Sequence, residues 1–289
     1  MRKLLLFLTI AITVLAFHAD AKKRALLVGI SNYQEAGLGW SNLHATNDLD
    51  TLGPMLRNAG FHVMELRNNA ATHHAICKQL DMLAARCKEG DKVLIHFSGH
   101  GQQMVNIKGD KGGHTETFIP FDAAKFYCDQ DKGDKHLTDD ELYIKLKAIK
   151  DSIGKTGQLM VTVDACHSGN ITRSFSKTDN YSSRTHDKEL GIRGASNLFG
   201  EGILKSARQT KDQPPIPGDF EISACGSNDI SIEYRDDDGK IYGPLSYLLV
   251  KGIKAKNGNV SFSQLYKYVY NNYKLTMTAK PYSRRARRK

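Results

Sequence analysis

Cysteine is too scarce in this sequence to staple it. Five occur in 289 residues (Cys77, Cys87, Cys128, Cys166 and Cys225), and the odd number leaves at least one unpaired. Cys77 and Cys87 fall on one predicted helix, ten residues apart. That is a rise of about 15 Å, too far for a disulfide. A chain of this size needs no staples, so mostly free or buried thiols are expected. Long apolar runs are also few: beyond the first 17 residues no segment is hydrophobic enough to span a bilayer. No internal repeat is visible. What remains is ordinary for a soluble globular chain, with 40% apolar and 25% charged residues. The length suits one large α/β core or two small ones.

The single apolar run reads as a targeting segment. Arg2 and Lys3 form a basic start, Leu4 to Phe17 is apolar, and Ala19-Asp20-Ala21 is a small-x-small cleavage site. Residues 1–21 are therefore expected to be a signal peptide, and 22–289 one exported domain, periplasmic or secreted, with no transmembrane segment. No cysteine follows the apolar run, so a lipid anchor is not indicated. The formal charge of +10 is largely a tail: Arg284, Arg285, Arg287, Arg288 and Lys289 supply five charges. The tail reads as a solubilising end, with contact to an anionic surface as the alternative. No nucleic-acid partner is expected.

From Lys23 onward strand and helix patterns alternate. The strands are Arg24 to Ile30, Phe61 to Leu66, Lys92 to Phe97 (KVLIHF) and Gln158 to Val163 (QLMVTV). A helix at Asp48 to Ala59 puts Leu49, Leu52 and Leu56 on one face, with Pro54 making its middle uncertain and Gly60 a stop. A second starts at the N-cap Thr72 and carries Ile76, Leu80, Leu83 and Cys87. A third opens at Thr138 to Glu141 with capping-box spacing and carries Leu142, Leu146, Ile149 and Ile153. After a long polar connection, Ile171 to Gly218, order resumes at Asp219 to Cys225. Helices follow at Leu245 to Ile253 and from Ser261, the last with Leu265 and Val269 inward. This order predicts an α/β fold, a mostly parallel sheet with helices on both faces.

The hexapeptide DACHSG, Asp164 to Gly169, ends the fourth strand, and Ser98-Gly99-His100-Gly101 ends the third. Open α/β sheets place their chemistry at such tips. If the two strands are parallel neighbours, His100 and Cys166 meet. Cys166 taken alone is most simply a small buried hydrophobe, but a thiol beside a base is the minimum for a cysteine nucleophile. His167 points to the other side from Cys166, and His96 lies inside its strand, so neither suits as base. The N–H groups of Gly101 and Cys166 are candidates for an oxyanion hole. Asp164 shares a side with Cys166. It either caps a turn or is a buried carboxylate for a cationic substrate group. Asp48 reads as an acid at a helix N-terminus.

These motifs resemble metacaspases and their bacterial caspase-like relatives across essentially all of Lys23 to about Tyr273. The resemblance is carried by LLVGISNY (Leu26 to Tyr33), NLHATNDLDTL (Asn42 to Leu52), HFSGHGQQ (His96 to Gln103), TETFIPFD (Thr115 to Asp122), TDDEL (Thr138 to Leu142), DACHSG, ISACGSNDISIE (Ile222 to Glu233) and GPLSYLLV (Gly243 to Val250). It implies a caspase-like three-layer sandwich and a cysteine endopeptidase, with His100 as general base and Cys166 as nucleophile. It also implies Asp48 and Asp164 as the acidic floor of a pocket for Arg or Lys, with Ser98 at its wall. Substrates would then be proteins or peptides with basic residues, and the enzyme would cut itself in the 171–218 connection.

Many metacaspases bind calcium through aspartates. Asp139 and Asp140 match an acidic pair of theirs, but Arg173 stands where another aspartate is expected, and a cation there opposes a divalent metal. Asp129 to Asp140 is not an EF-hand, because Gly133 falls one place early. No cofactor is therefore expected to be required, and no metal ligand is assigned. A gingipain- or legumain-like peptidase shares the fold and the catalytic pair. Outside catalysis, the alternatives are a silent caspase-fold adaptor, which would need neither His100 nor Cys166, and a basic surface-binding module acting through the tail.

Overall fold

Aliphatic residues crowd Lys23–Gly29, and in the computed structural model this run is a strand, β1, buried from Ala25 onward on both faces. Two-sided burial is what a central parallel strand requires. The structure describes residues 21–105, 114–167, 220–223 and 233–279. After β1 come α1 (Ala45–Asn58), β2 (Phe61–Arg67), α2 (His73–Arg86), β3 (Lys92–Val105), β4 (His114–Phe118) and β5 (Leu137–Thr138). They are followed by α3 (Asp139–Ile153), β6 (Gln158–His167), β7 (Phe220–Ser223), β8 (Tyr234–Arg235), β9 (Ile241–Tyr242), α4 (Pro244–Lys254) and α5 (Phe262–Ala279). The proposed signal peptide up to residue 20, the 171–218 connection, Arg173, Cys225 and the basic tail lie outside the described residues.

Strands β2, β1, β3, β6 and β7 pair in that order, all parallel. Alternation along each strand sends side chains to two separate cores. Leu26, Val28, Val93, Ile95, Phe97, Leu159, Val161 and Val163 pack with Ile76 and Leu80 of α2 and Leu142, Leu146, Ile149 and Ile153 of α3. Ala25, Leu27, Leu94 and Met160 pack on the other face with Leu49, Leu52 and Leu56 of α1, and with residues of α4 and α5 such as Leu245, Leu249, Leu265 and Val269. The result is the expected three-layer α/β sandwich.

Three details depart from the sequence reading. Strand β3 does not end at Phe97. It continues to Val105, because β4 takes over the pairing edge that β1 leaves, running antiparallel with Gly101 opposite Phe118. Strand β5 then adds antiparallel to β4. His100 therefore lies within a long strand rather than in a turn. Second, α1 begins three residues early and passes through Pro54. Gly53 precedes that proline, and without a Cβ it escapes the clash that usually bars helix there. Third, Cys87 is the C-cap residue of α2, not part of its helical face.

The expected N-caps are made, although the Thr138 box is completed on one side alone. Thr72 accepts from the Ala75 N–H and Thr138 from the Glu141 N–H. Gly60 sits just past α1 with φ +85°, the left-handed conformation that stops a helix. Ser261 and Gln264 bond reciprocally, a complete capping box.

Candidate active site

The site is built by two neighbouring strands. Register pairs Ser98 with Asp164, Gly99 with Ala165 and His100 with Cys166. On the α1/α4 side of the sheet, β3 presents Leu94, His96, Ser98 and His100, and β6 presents Met160, Thr162 and Asp164. Strands β3 and β6 are parallel neighbours, the condition set by the sequence reading, and their register brings residue 166 directly beside residue 100. Gly101 pairs with His167, so the two residues whose N–H groups were considered for an oxyanion hole lie one register step apart on adjacent strands.

His100 is fully buried and held on three sides. Its ring stacks on Trp40, with centroids 5.0 Å apart and planes at 27°, and lies 4.7 Å from the Tyr33 ring. Nε2 is 2.8 Å from the Ser41 carbonyl oxygen. A carbonyl only accepts, so Nε2 carries the proton of the neutral ring and Nδ1 carries the basic lone pair. The backbone is fixed as well. The His100 N–H donates to the Tyr33 hydroxyl at 3.1 Å, which donates to the Ile119 carbonyl at 2.7 Å, and the Ile119 N–H returns to the His100 carbonyl at 3.0 Å. Gly99 is required for this: a Cβ there would lie 2.6 Å from the Tyr33 hydroxyl and 3.0 Å from Phe118. Trp40 is itself anchored by donating to the Ala123 carbonyl at 3.0 Å.

Asp48 of α1 and Asp164 of β6 are both buried, at 0% and 1% exposure. Ser98 Oγ donates to Asp48 Oδ2 at 2.6 Å and the Gly243 N–H to Oδ1 at 3.1 Å. On Asp164, Oδ2 accepts from the Ser246 N–H at 2.7 Å and from Ser246 Oγ at 2.6 Å. Its Oδ1 is buried with no hydrogen-bond partner among the described residues. Burial pushes the Asp48 carboxyl well above its ordinary range, and the nearby Asp164 pushes it further. Burial likewise raises Asp164 to about 6, against the opposing hydrogen bonds from Ser246. Two carboxyls taken out of water without a cation are costly. A guanidinium or ammonium group would relieve that cost and satisfy the orphaned oxygen.

A chain of hydrogen bonds supports this pair. Ser246 spends its one proton on Asp164, so at 3.2 Å it accepts from His96 Nε2. His96 Nδ1 lies 2.8 Å from Thr162 Oγ1, which also lies 3.3 Å from the Ile95 carbonyl oxygen. Complete burial drives the His96 pKa down to about 3 and keeps the ring neutral. His96 is thus a positioning residue, consistent with its rejection as a base. Sequence reasoning missed Ser246, Gly243, Ser41 and Trp40 as site residues. They come from distant segments and carry no chemical signature of their own. Gly243 does leave a trace: a Cβ there would collide with the Asp164 carboxylate. Glu233 was quoted only within a motif. It accepts from the His44 N–H at 2.6 Å and pairs with His44 Nδ1 at 2.9 Å, tying its segment to the start of α1 beside Asp48.

A mostly parallel α/β sandwich of this topology is the caspase-like architecture. The sequence profile of caspase-domain peptidases matches residues 22–284, and the chain belongs to that family. It is 23% identical to metacaspase-1 of Emericella nidulans, over 91% of this chain and 70% of the relative. It is 22% identical to metacaspase-1A of Aspergillus niger with the same coverage. Among solved structures it resembles GSU0716 from Geobacter sulfurreducens, with a TM-score of 0.55 and 22% identity over 87% of this chain and 89% of that one. The protein is a cysteine-type peptidase of the metacaspase and caspase-like kind. Among the described residues no helix is long and apolar enough to cross a membrane.

Proposed function

We propose that this peptidase cleaves after Arg or Lys, with Cys166 as nucleophile and His100 as general base. The observation that carries the specificity is the buried pair of carboxyls Asp48 and Asp164, with no cationic side chain against either among the described residues. A basic side chain entering there would lie on the face of β3 that carries Ser98, two positions before the register pair of residues 100 and 166. In the proposed reaction, His100 Nδ1 takes the thiol proton and the thiolate attacks the scissile carbonyl carbon. The Gly101 and Cys166 N–H groups stabilise the oxyanion. The imidazolium then gives its proton to the leaving amine, and a thioester forms. Water, deprotonated by the same ring, hydrolyses the thioester and restores the thiol. The Ser41 carbonyl holds the ring in the tautomer that each step needs and stabilises the imidazolium.

Three further parts of the proposal rest on sequence. The protein is exported through its N-terminal segment. It cleaves itself in the polar 171–218 connection, which offers Arg173, Lys177, Arg184, Lys188, Arg193, Lys205, Arg208 and Lys211. It works without a required cofactor. Specificity is tested with a matched peptide series bearing Arg, Lys, citrulline or Asp before the scissile bond. Arg and Lys peptides are expected to be cut, and citrulline and Asp peptides spared. Efficient cleavage after Asp overturns the pocket assignment. Self-processing is tested by N-terminal sequencing of the wild type beside Cys166→Ala. A wild-type chain that stays whole while cutting Arg peptides refutes it.

A further inference from the structure

We propose that His73, Cys77 and Glu141 form a binding site for a divalent transition-metal ion, zinc, between helices α2 and α3. The three side chains converge, with the Glu141 carboxylate turning one oxygen to each of the other two. His73 Nε2 is 2.8 Å from Glu141 Oε2, Cys77 Sγ is 3.3 Å from Glu141 Oε1, and Cys77 Sγ is 3.7 Å from His73 Nε2. All three lie within 4.8 Å of one another, and among the described residues this is the one such group of three or more.

The arrangement does not suit a second nucleophile. A Cys-His-Glu relay uses the two ring nitrogens separately, one toward the thiol and one toward the carboxylate. Here a single nitrogen, Nε2, faces both partners. Such convergence is the geometry of coordination. Zinc–ligand bonds of about 2.0–2.3 Å at tetrahedral angles put sulfur about 3.6 Å from nitrogen or oxygen, and nitrogen about 3.3 Å from oxygen. The sulfur separations already lie close to these values, and the nitrogen–oxygen contact must open by about half an ångström. Imidazole, thiolate and carboxylate together suit zinc better than calcium or magnesium, which take oxygen ligands.

The sequence around the cluster supports the same reading. His73 and Cys77 are one helical turn apart in the first half of α2, so both face α3. Glu141 is the third residue of α3, where a capping box would send its carboxylate back to the Thr138 N–H. Only half of that box is made: Thr138 Oγ1 accepts from the Glu141 N–H, while the carboxylate turns to α2. Glu141 is thus spent on the cluster at the expense of its own helix end. The metal would leave a fourth position for water and clip the two helices together, with the thiol proton passing to solvent. The clip would sit close to the catalytic strand, since the His73 N–H donates to Asp122 in the same segment whose Ile119 N–H bonds the His100 carbonyl.

The test uses the full mature chain carrying Cys166→Ala, so that the catalytic thiol does not compete for metal. Cobalt(II) is titrated in and the thiolate-to-cobalt charge-transfer band is followed. Zinc affinity is then measured by competition with a chromophoric chelator. The expected result is one ion per chain, a band abolished by Cys77→Ser, and zinc affinity about tenfold or more weaker in Glu141→Gln. Glu141→Gln keeps the side-chain shape, so it reports even if Cys77→Ser folds poorly. No band at stoichiometric cobalt overturns the site, as does a band that survives Cys77→Ser or zinc affinity unchanged in Glu141→Gln.

Discussion

The acidic pocket predicts a pH dependence that separates binding from chemistry. Asp164 titrates near 6 in the ligand-free protein, against an ordinary 3.8. Two units correspond to roughly 3 kcal/mol by which the buried site disfavours the anion. A guanidinium at contact distance, about 4 Å away, contributes on the order of 4 kcal/mol at an effective dielectric near 20. The two magnitudes are comparable, so an arginine side chain in the pocket restores the carboxylate and expels its proton. Affinity for an Arg ligand should therefore fall about tenfold for each pH unit below about 6, and Asp48, raised by burial and by Asp164, adds to the same dependence. The assay is fluorescence anisotropy of a labelled Arg peptide on Cys166→Ala, which binds without turning over, with a citrulline peptide as the neutral control. Arg affinity that stays level between about pH 4 and about pH 8 would falsify the reasoning. The sign for stability is opposite. A folded-state pKa above the unfolded value means that this group's stabilising contribution is present below about 4 and lost as pH rises through about 6. Asp164→Asn should therefore bind Arg peptides poorly yet melt no lower than the parent at neutral pH.

Cys166→Ala should abolish hydrolysis and leave the melting temperature nearly unchanged. His100→Ala should abolish it too, with stability lowered by roughly 1–3 kcal/mol because the ring is buried against Trp40 and Tyr33; peptidase activity retained in either variant removes the proposed dyad. Ser246→Ala strips one hydrogen bond from Asp164 and leaves the backbone one. It should raise KM for Arg peptides about tenfold with kcat little changed, and a pure kcat effect would show that Ser246 serves the chemistry instead. Activity should survive a calcium chelator at least in part. Complete loss with EDTA, restored by calcium alone, would refute the absence of a required cofactor.

Much of this was legible in the chain because period and chemistry coincide. QLMVTV and KVLIHF read as strands from their composition, and the small and polar residues after them drew attention to positions 98–101 and 164–169. Nucleophile and base candidates followed from residue type. What the sequence hid were contacts made over long separations. Nothing in GPLSYLLV announces that Ser246 donates twice to Asp164, 82 positions away. The Ser41 carbonyl that fixes the His100 tautomer is a backbone atom, and any residue supplies one. The continuation of β3 to Val105 was hidden for a related reason. Ser98-Gly99-His100-Gly101 has the composition of a turn, and only the antiparallel neighbour β4 makes extension favourable.

The β3–β6 pair also explains how one face of a sheet can be core and active site at once. Along β3 the inward series runs Leu94, His96, Ser98, His100, and along β6 it runs Met160, Thr162, Asp164, with residue 166 pairing with His100 in register. At the base, Leu94 and Met160 pack against α1 and α4. One step up, His96 and Thr162 are polar but neutral, and their hydrogen bonds are satisfied internally. The next step carries Ser98 and Asp164, where a charge is held back by burial. The last carries His100 beside position 166. Polarity rises step by step toward the strand ends, so the pocket rests on a dry, fixed base instead of flexible loops. The side-chain period is two, so a one-residue slip of β6 would replace Asp164 by Val163 or Ala165 and bury the polar series among α2 and α3. The large apolar cores on both faces forbid that slip. The register that positions the proposed catalytic pair is therefore enforced mainly by residues that never touch a substrate.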